Sequence, residues 1–292
     1  MMAVGLGLAA AVAYGVGDFL GGWLSRRVHY ALVSVISYIV ALALTVLALL
    51  LIGASAPEPA ALLWGAASGV GGAVGTLALF RGLGHGRMGV VAPLSAVGAA
   101  SLPVVIGVVL GDRPSPVAWS GVLLALPAIW LVSTPGHQET DATPAPNVGS
   151  ASGLRARGVV DGLLAGVGFA LLFVALGLAG DGSGLWPVLA GQASAVVVLS
   201  IVTAGILRTI DWHLPAREVT GAAAVGTLGA AAVIFYFWST HEGLLSIVAV
   251  LTSLYPAVTV VLAAALLHEA INRRQAVGLA LAATAVLLIV LG

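Results

Sequence analysis

Asp18 is the residue of this sequence whose position most clearly suggests chemistry. It lies inside an apolar stretch, between Tyr14 and Trp23, and several residues before the first arginine, Arg26. A charged aspartate near the centre of a bilayer costs about 2.5–3.5 kcal/mol on insertion scales. Such a cost implies a partner, a water-filled cavity or protonation. Two roles therefore stay open for Asp18: a structural ion pair with Arg81, or binding of a substrate or a proton.

Aromatic and hydroxyl side chains form the second group of candidates for a binding site. Aromatic rings offer an apolar wall with one polar tip, which suits a small organic solute. Aromatic residues near helix ends are also typical of an interfacial belt, and hydroxyls within helices often bond only to their own backbone. Together with Asp18 and Arg81, the predicted cavity residues are Tyr14, Phe19, Ser95, Tyr236, Trp238, Ser253 and Tyr255.

Two His-Glu pairs suggest a zinc site, but the residues around them exclude it. The HExxH pattern needs a second histidine four positions after the first. Leu245 and Asn272 stand at those positions, after His241 and His268. The sequence has no lysine, so a Walker-type nucleotide loop cannot form, and it has no cysteine. We therefore expect no metal, no cofactor and no direct use of ATP.

The composition indicates an integral membrane protein. Of the 292 residues, 60% are hydrophobic and only 8% are charged, whereas soluble domains carry about 25% charged residues. The net charge is zero, with neither a basic patch nor an acidic tail, so we expect no nucleic acid as a partner.

Ten apolar segments are long enough to cross the hydrocarbon core of a bilayer. That core is about 30 Å thick and takes about 20 helical residues. Charged residues, prolines and glycine clusters separate the segments, and we predict an all-α protein. The predicted spans are 3–24, 30–53, 61–80, 88–110, 116–133, 158–179, 184–206, 219–239, 244–267 and 274–291.

A polar stretch over residues 134–157 divides these spans into two groups. It is rich in proline, serine and glycine, which is typical of a solvated linker. The predicted units are thus 1–133 and 158–292, with five helices each. Because five is odd, the second unit enters the membrane in the opposite sense, and the fold is an inverted repeat.

The two units repeat one pattern. With an offset of 157 positions, residues 65–126 fall on 222–283 without a gap. A duplicated apolar half is typical of transporters built from two related bundles. Glycines four residues apart also predict close contacts between helices; these pairs are Gly17/Gly21, Gly65/Gly69 and Gly71/Gly75.

Prolines and acids mark the fourth and ninth spans. Pro93, Pro103 and Pro256 break backbone hydrogen bonds inside these spans. These prolines fit two interpretations: kinks beside a binding site, or ordinary kinks that result from helix packing. Asp112 and Glu269 occupy equivalent places at the ends of the two spans, where acids are usually solvated or cap a turn.

Arginine predicts the orientation in the membrane. The loops after the odd-numbered spans hold ten arginines, and the loops after the even-numbered spans hold only Arg113. Positively charged loops stay in the cytoplasm. We therefore predict cytoplasmic odd-numbered loops, with both termini on the outer side of the cell membrane.

These features resemble the EamA-like branch of the drug/metabolite transporter superfamily. The motifs that carry the resemblance are Gly111-Asp112, Tyr255-Pro256, His268-Glu269, Gly121 and Gly278. The first unit departs from the pattern, with Asp112 where glutamate is usual and Ala99 where Pro256 aligns. The resemblance implies ten helices around a central cavity, with the last helix of each unit peripheral. It also implies transport of small metabolites, often amino acids. Finally, it implies that both termini lie in the cytoplasm, which is opposite to the prediction from the arginines.

We predict a secondary transporter that moves a small metabolite, such as an amino acid, by alternating access. Coupling to protons through Asp18 and facilitated diffusion both stay open. An ion channel or facilitative pore is the alternative. An intramembrane enzyme is less favoured, because no second buried acid accompanies Asp18. The expected partners are the solute, the lipid bilayer and protons, and the expected assembly is a monomer or a homodimer.

Overall fold

The computed structural model describes residues 1–53, 57–85, 88–134, 148–180, 182–208, 215–266 and 271–292. Over these residues the chain forms helices and no strands, and ten spans are long and apolar enough to cross a membrane, which confirms the predicted fold class. The helices are α1 (Met2–Leu24), α2 (Tyr30–Ile52), α3 (Pro59–Gly84), α4 (Met88–Leu110), α5 (Pro116–Ser133), α6 (Val148–Gly177), α7 (Trp186–Leu207), α8 (Ala216–Glu242), α9 (Leu245–Thr252), α10 (Tyr255–Leu266) and α11 (Arg273–Leu291).

Local signals explain where several helices begin. Ser115 accepts a hydrogen bond from the N–H of Ala118 and caps α5, and Asn272 and Gln275 form a capping box at the start of α11. Helix α6 begins at Val148, before the predicted apolar segment, but its membrane-length part runs from Arg157 to Gly177.

The ninth predicted span is a broken helix. Helix α9 ends at Thr252 and α10 begins at Tyr255. The two pieces together form one membrane-length span over Leu245–Leu266, which confirms the ninth predicted span, 244–267, and places a break beside its proline. Pro256 has no N–H to donate to the carbonyl of Thr252, which would accept it in a continuous helix. Pro93 and Pro103 lie inside α4, which is continuous. The two units therefore differ most clearly at this point.

Helices of the first unit pack mainly on helices of the second. Helix α3 packs on α6 and α7, α8 packs on α1 and α2, and α5 packs on α11. The α5–α11 contact is two-fold symmetric. A methyl group added at Gly121 would lie 2.8 Å from the carbonyl oxygen of Ala285, and one at Gly278 would lie 2.6 Å from the amide nitrogen of Val132. The small residues predicted from the repeat thus allow close backbone contact.

Asp112 caps a helix in another part of the chain. Helix α9 has no capping side chain of its own at Leu244. The Oδ2 atom of Asp112 accepts a hydrogen bond of 2.8 Å from the N–H of Ser246, in the first turn of α9. A carboxylate at this position also interacts favourably with the helix dipole. Asp112 is therefore a cap; its repeat equivalent, Glu269, lies outside the described residues.

Removing this cap is expected to destabilise the protein modestly. Asp112→Ala leaves the N–H of Ser246 without its acceptor, which costs about 1 kcal/mol. Asp112→Asn keeps an acceptor oxygen and is the matched control. We expect the melting temperature of the detergent-purified protein to fall for the alanine variant, and by much less for the asparagine variant. Equal losses in both variants would contradict a capping role.

A histidine caps α2 outside the membrane-spanning segments. The Nδ1 atom of His29 accepts a hydrogen bond of 3.2 Å from the N–H of Ala31. Burial, and then the neighbouring His85, lower the pKa of His29 below its ordinary value of 6.5. Only the neutral ring can accept this bond at Nδ1.

This cap is expected to make stability depend on pH. The pKa of His29 is lower in the folded chain, so the unfolded chain takes up the proton first. The stabilisation is complete above pH 6.5 and is lost as the pH falls through that value towards the folded-state pKa. The loss should be about 0.5–1 kcal/mol. His29→Asn keeps a cap without a titrating group, so its melting temperature should fall less between pH 7.5 and pH 5.5. Equal falls would contradict this account.

Candidate functional site

A small cavity lies between the two units, lined by α1, α2, α3, α6, α7 and α8. Its volume is about 60 Å³, which is room for roughly four to six water molecules. The polar lining residues are Tyr14, Asp18, Ser37, Tyr38, Thr76 and Gln192. The remaining lining residues are apolar side chains and glycines.

Asp18 is the one charged residue among those that line the cavity. Within the described part of the chain, no basic side chain lies within salt-bridge distance of its carboxylate. Arg81 instead pairs with Asp161 of α6, and its Nε atom donates a hydrogen bond of 2.9 Å to Oδ1. The ion pair that the sequence allowed between Asp18 and Arg81 does not form.

Two further polar groups in the lining have no hydrogen-bond partner in the described structure. They are the Oε1 atom of Gln192 and the hydroxyl of Tyr14. Gln192 is only 3% exposed, although an amide usually requires partners when it is buried. The lining thus contains two buried polar atoms without a partner, beside the carboxylate of Asp18 among its polar groups.

The remaining polar lining groups are engaged with protein. The hydroxyls of Tyr38 and Thr76 lie 3.3 Å apart and link α2 to α3. Ser37 donates to the carbonyl oxygens of Val33 and Ala222, at 2.7 and 3.0 Å. These residues shape the cavity and join its helices.

Tyr14 also belongs to a cluster of aromatic rings beside the cavity. Its ring centroid lies 6.0 Å from that of Phe173 and 6.5 Å from that of Tyr255. The rings of Phe173 and Tyr236 are 4.6 Å apart, and the hydroxyl of Tyr236 donates to the carbonyl of Phe173 at 2.8 Å. Tyr236 and Tyr255 therefore pack behind the lining, with Tyr14 between them and the cavity.

The structure brings two of the predicted site residues, Tyr14 and Asp18, to the cavity lining. Ser95 is buried and donates to the carbonyl of Ala92 at 3.0 Å, and Ser253 is buried at the break between α9 and α10. Trp238 is 37% exposed. Neither Trp238 nor Phe19 is among the lining residues; Phe19 follows Asp18 directly and so points about 100° around the helix from it.

Sequence reasoning missed Tyr38, Thr76 and Gln192. One signal could have found Gln192: it is an amide in the middle of an apolar span, and a polar side chain there is costly unless it serves a function. Thr76 falls on Val233 under the offset of 157, and both line the cavity, but this relation is visible only in the structure.

Two ion pairs join the units at the arginine-rich ends of the helices. Arg81 and Asp161 join α3 to α6, with Asp161 buried. Arg27 lies 4.0 Å from Glu218 and joins α1 to α8, and its guanidinium carbon lies 3.7 Å from the centre of the Trp23 ring. Two ion pairs thus connect the units at this end of the molecule.

Residues 156–291, which contain most of α6 and all of α7 to α11, match the EamA-like transporter family. This half is an EamA-like domain. The family is part of the drug/metabolite transporter superfamily, as the motifs indicated. The domain provides Phe169, Leu172, Gln192 and Val233 to the cavity lining.

One solved crystal structure of another protein matches almost the whole chain. The match supports the observed fold both for the EamA-like domain and for the half of the chain that precedes it. It has a TM-score of 0.71 and 20% sequence identity, and the match covers 99% of this chain and 96% of that one. It is one of 16 solved chains that match. At this identity the likeness shows the fold alone. No curated protein sequence matches the chain.

Proposed function

We propose that this protein is a secondary transporter that moves a small metabolite, such as an amino acid, through the cavity between its two units. The observation that carries the proposal is Asp18, a carboxylate without a salt-bridge partner in the described structure, in a cavity lined by both units. Transporters built from inverted repeats bind their solutes at such an interface.

The proposed mechanism is alternating access, in which the two units rock about the cavity. The interface suits such motion because backbone, rather than interlocking side chains, forms part of it. Gly69 of α3 lies against Gly191 of α7, and the repeat-equivalent Gly226 of α8 lies against Ser37 of α2. The charged end can open only if the Arg81–Asp161 and Arg27–Glu218 pairs separate.

The cavity sets limits on the solute. Its volume of about 60 Å³ fits a metabolite of a few heavy atoms. The described lining holds a carboxylate and no cation, which does not suit phosphorylated sugars or nucleotide sugars, since these need cationic groups to bind phosphate. Catalysis is not part of the proposal, because the lining offers no second acid beside Asp18.

We also propose that Asp18 carries the coupled protons. Its carboxylate would bind a proton and the solute in turn, so that each displaces the other. Two tyrosines are the other titratable residues in the described lining: Tyr14, one turn before Asp18 on α1, and Tyr38 of α2. The cavity is complete within a single chain, so a monomer suffices and a homodimer would carry two such sites. We also propose that the arginine-rich ends face the cytoplasm of the cell.

Counterflow in proteoliposomes tests this function. Vesicles loaded with one unlabelled amino acid or amine should accumulate the same labelled solute, with a rate that saturates as its concentration rises. Protein-free vesicles provide the background. Conductance that does not saturate would support a channel instead, and chemical conversion of the solute would support an enzyme; either would overturn the proposal.

A further inference from the structure

We propose that the cavity recognises small organic ammonium ions that lack a carboxylate, with the ammonium group held between Asp18 and Gln192. This inference rests on the proposed transport function, and it narrows the solute from amino acids to amines. Charge, hydrogen bonding and the position of the lining residues within their helices each support it.

Charge is the first argument. Asp18 is the one ionic side chain in the lining, and none of the lining residues is arginine, lysine or histidine. The nearest candidate from the sequence, Arg81, is engaged with Asp161 at the end of α3. A cation therefore gains a favourable interaction in this cavity, whereas an anion meets a negative charge in a medium that screens it poorly.

Hydrogen bonding is the second argument. The Oε1 atom of Gln192 is an acceptor with no partner in the described structure, and a carboxylate such as that of Asp18 is also an acceptor. Asp18 of α1 and Gln192 of α7 come from different units and line one cavity, and the amide of Gln192 carries one acceptor oxygen and two N–H donors. An ammonium group has three donors and no acceptor, so it can satisfy both the carboxylate and this oxygen. The hydroxyl of Tyr14, also without a partner, can accept the third bond.

The third argument concerns the lining residues that would surround the carboxylate of a bound amino acid. A carboxylate needs a cation or several N–H donors when water is removed. The polar lining residues lie inside their helices, away from the first turns where N–H groups are available. Around them the walls are apolar, with Phe80, Phe169, Leu172 and Val233. The side-chain donors in the described lining are one amide and several hydroxyls, all uncharged. An amino acid would therefore place its carboxylate on neutral donors only, close to the charge of Asp18.

Three solutes of similar size test the proposal. Alaninol has an ammonium and a hydroxyl group, alanine has an ammonium and a carboxylate, and lactate has a carboxylate and a hydroxyl. Ligands that bind the folded state raise its melting temperature. For the detergent-purified protein, we expect alaninol to stabilise at the lowest concentration and alanine to need at least about tenfold more. Lactate should have no effect.

Variants show whether the stabilisation comes from this cavity. We expect Asp18→Asn to weaken alaninol binding by about a hundredfold and Gln192→Leu by about tenfold. Asp18→Glu keeps a carboxylate and should retain the preference for alaninol over alanine. Glu242→Gln makes the same acid-to-amide change at the exposed end of α8, outside the cavity, and should leave binding unchanged.

The outcomes separate this inference from the proposed function. If alanine or lactate binds as tightly as alaninol, or if Asp18→Asn binds alaninol normally, the ammonium proposal is wrong. Saturable counterflow of the preferred solute would still support transport in that case. If alaninol binds as expected but no solute shows saturable counterflow, the recognition stands and the transport proposal fails.

Discussion

Replacing Asp18 by asparagine should strongly reduce solute transport without unfolding the protein. The carboxylate has no salt-bridge partner in the described structure, so no structural ion pair is lost. Asparagine has nearly the same size and keeps an acceptor oxygen, but it removes the charge on which a cationic solute depends. Charge-assisted hydrogen bonds contribute about 1.5–3 kcal/mol, so saturable counterflow should fall by up to about a hundredfold.

The thermal stability of Asp18→Asn should not fall with its transport rate, but should stay the same or rise. A charged aspartate in a membrane helix costs about 2.5–3.5 kcal/mol, and the neutral amide avoids part of that cost. We therefore expect the melting temperature of Asp18→Asn without solute to equal or exceed that of the wild type. Glu242→Gln, at the exposed end of α8, should transport normally and serves as the control. Normal transport by Asp18→Asn would show that the charge of Asp18 is not required, and a large loss of stability would show that Asp18 is structural.

Gly69→Leu should give the second large effect, in this case on folding. Gly69 of α3 lies so close to α7 that an added Cβ atom would overlap the carbonyl oxygen of Gly191. The obstacle is backbone, which cannot move aside like a flexible side chain. The Ser194 hydroxyl, which donates to the carbonyl of Ala66 at 2.8 Å, lies in the same contact. We expect α3 and α7 to separate, at a cost of at least about 3 kcal/mol.

Gly205→Leu is the matched control for this prediction. Gly205 is also in a membrane helix, α7, but an added Cβ atom meets nothing within 4 Å there. Its melting temperature should stay the same or rise slightly, because leucine favours the helix more than glycine does. Size-exclusion profiles and melting curves of both variants provide the measurement. If Gly69→Leu is as stable as Gly205→Leu, the close contact between the two units is not required.

Much of the fold was predictable because a bilayer allows few solutions. An apolar segment of about 20 residues must be a helix to satisfy its backbone in lipid, so the spans could be read from the sequence. The glycine pairs also predicted close contacts, and Gly65 and Gly69 both make them with α7. The sequence did not show which helix would be the partner, because that depends on how the two units pack.

The break in the ninth span shows where local chemistry is insufficient. Pro93, Pro103 and Pro256 remove the same kind of hydrogen bond, yet α4 is continuous and the ninth span divides into α9 and α10. At the break, α1 packs closely, with Gly15 against the carbonyl oxygen of Tyr255. Surrounding helices, rather than proline alone, thus determine whether a span kinks or breaks.

The site was only partly predictable for a related reason. Asp18 and Tyr14 were found because a polar group inside an apolar span is costly wherever it faces. Arg81 was expected to face the site as well, but it pairs with Asp161, a residue 80 positions away. Pairings between residues far apart in sequence depend on the packing of α3 against α6.

Access to the cavity from the two sides of the membrane is the most direct test of the account. The chain contains no cysteine, so a single cysteine can be labelled without background. Val233 lines the cavity, whereas Val197 of α7 is 58% exposed on the outer surface of the helices. In proteoliposomes, Val233→Cys should react with a membrane-impermeant quaternary ammonium methanethiosulfonate added to either side, and Val197→Cys should react from neither. Reaction of Val233→Cys from one side only would contradict alternating access through this cavity.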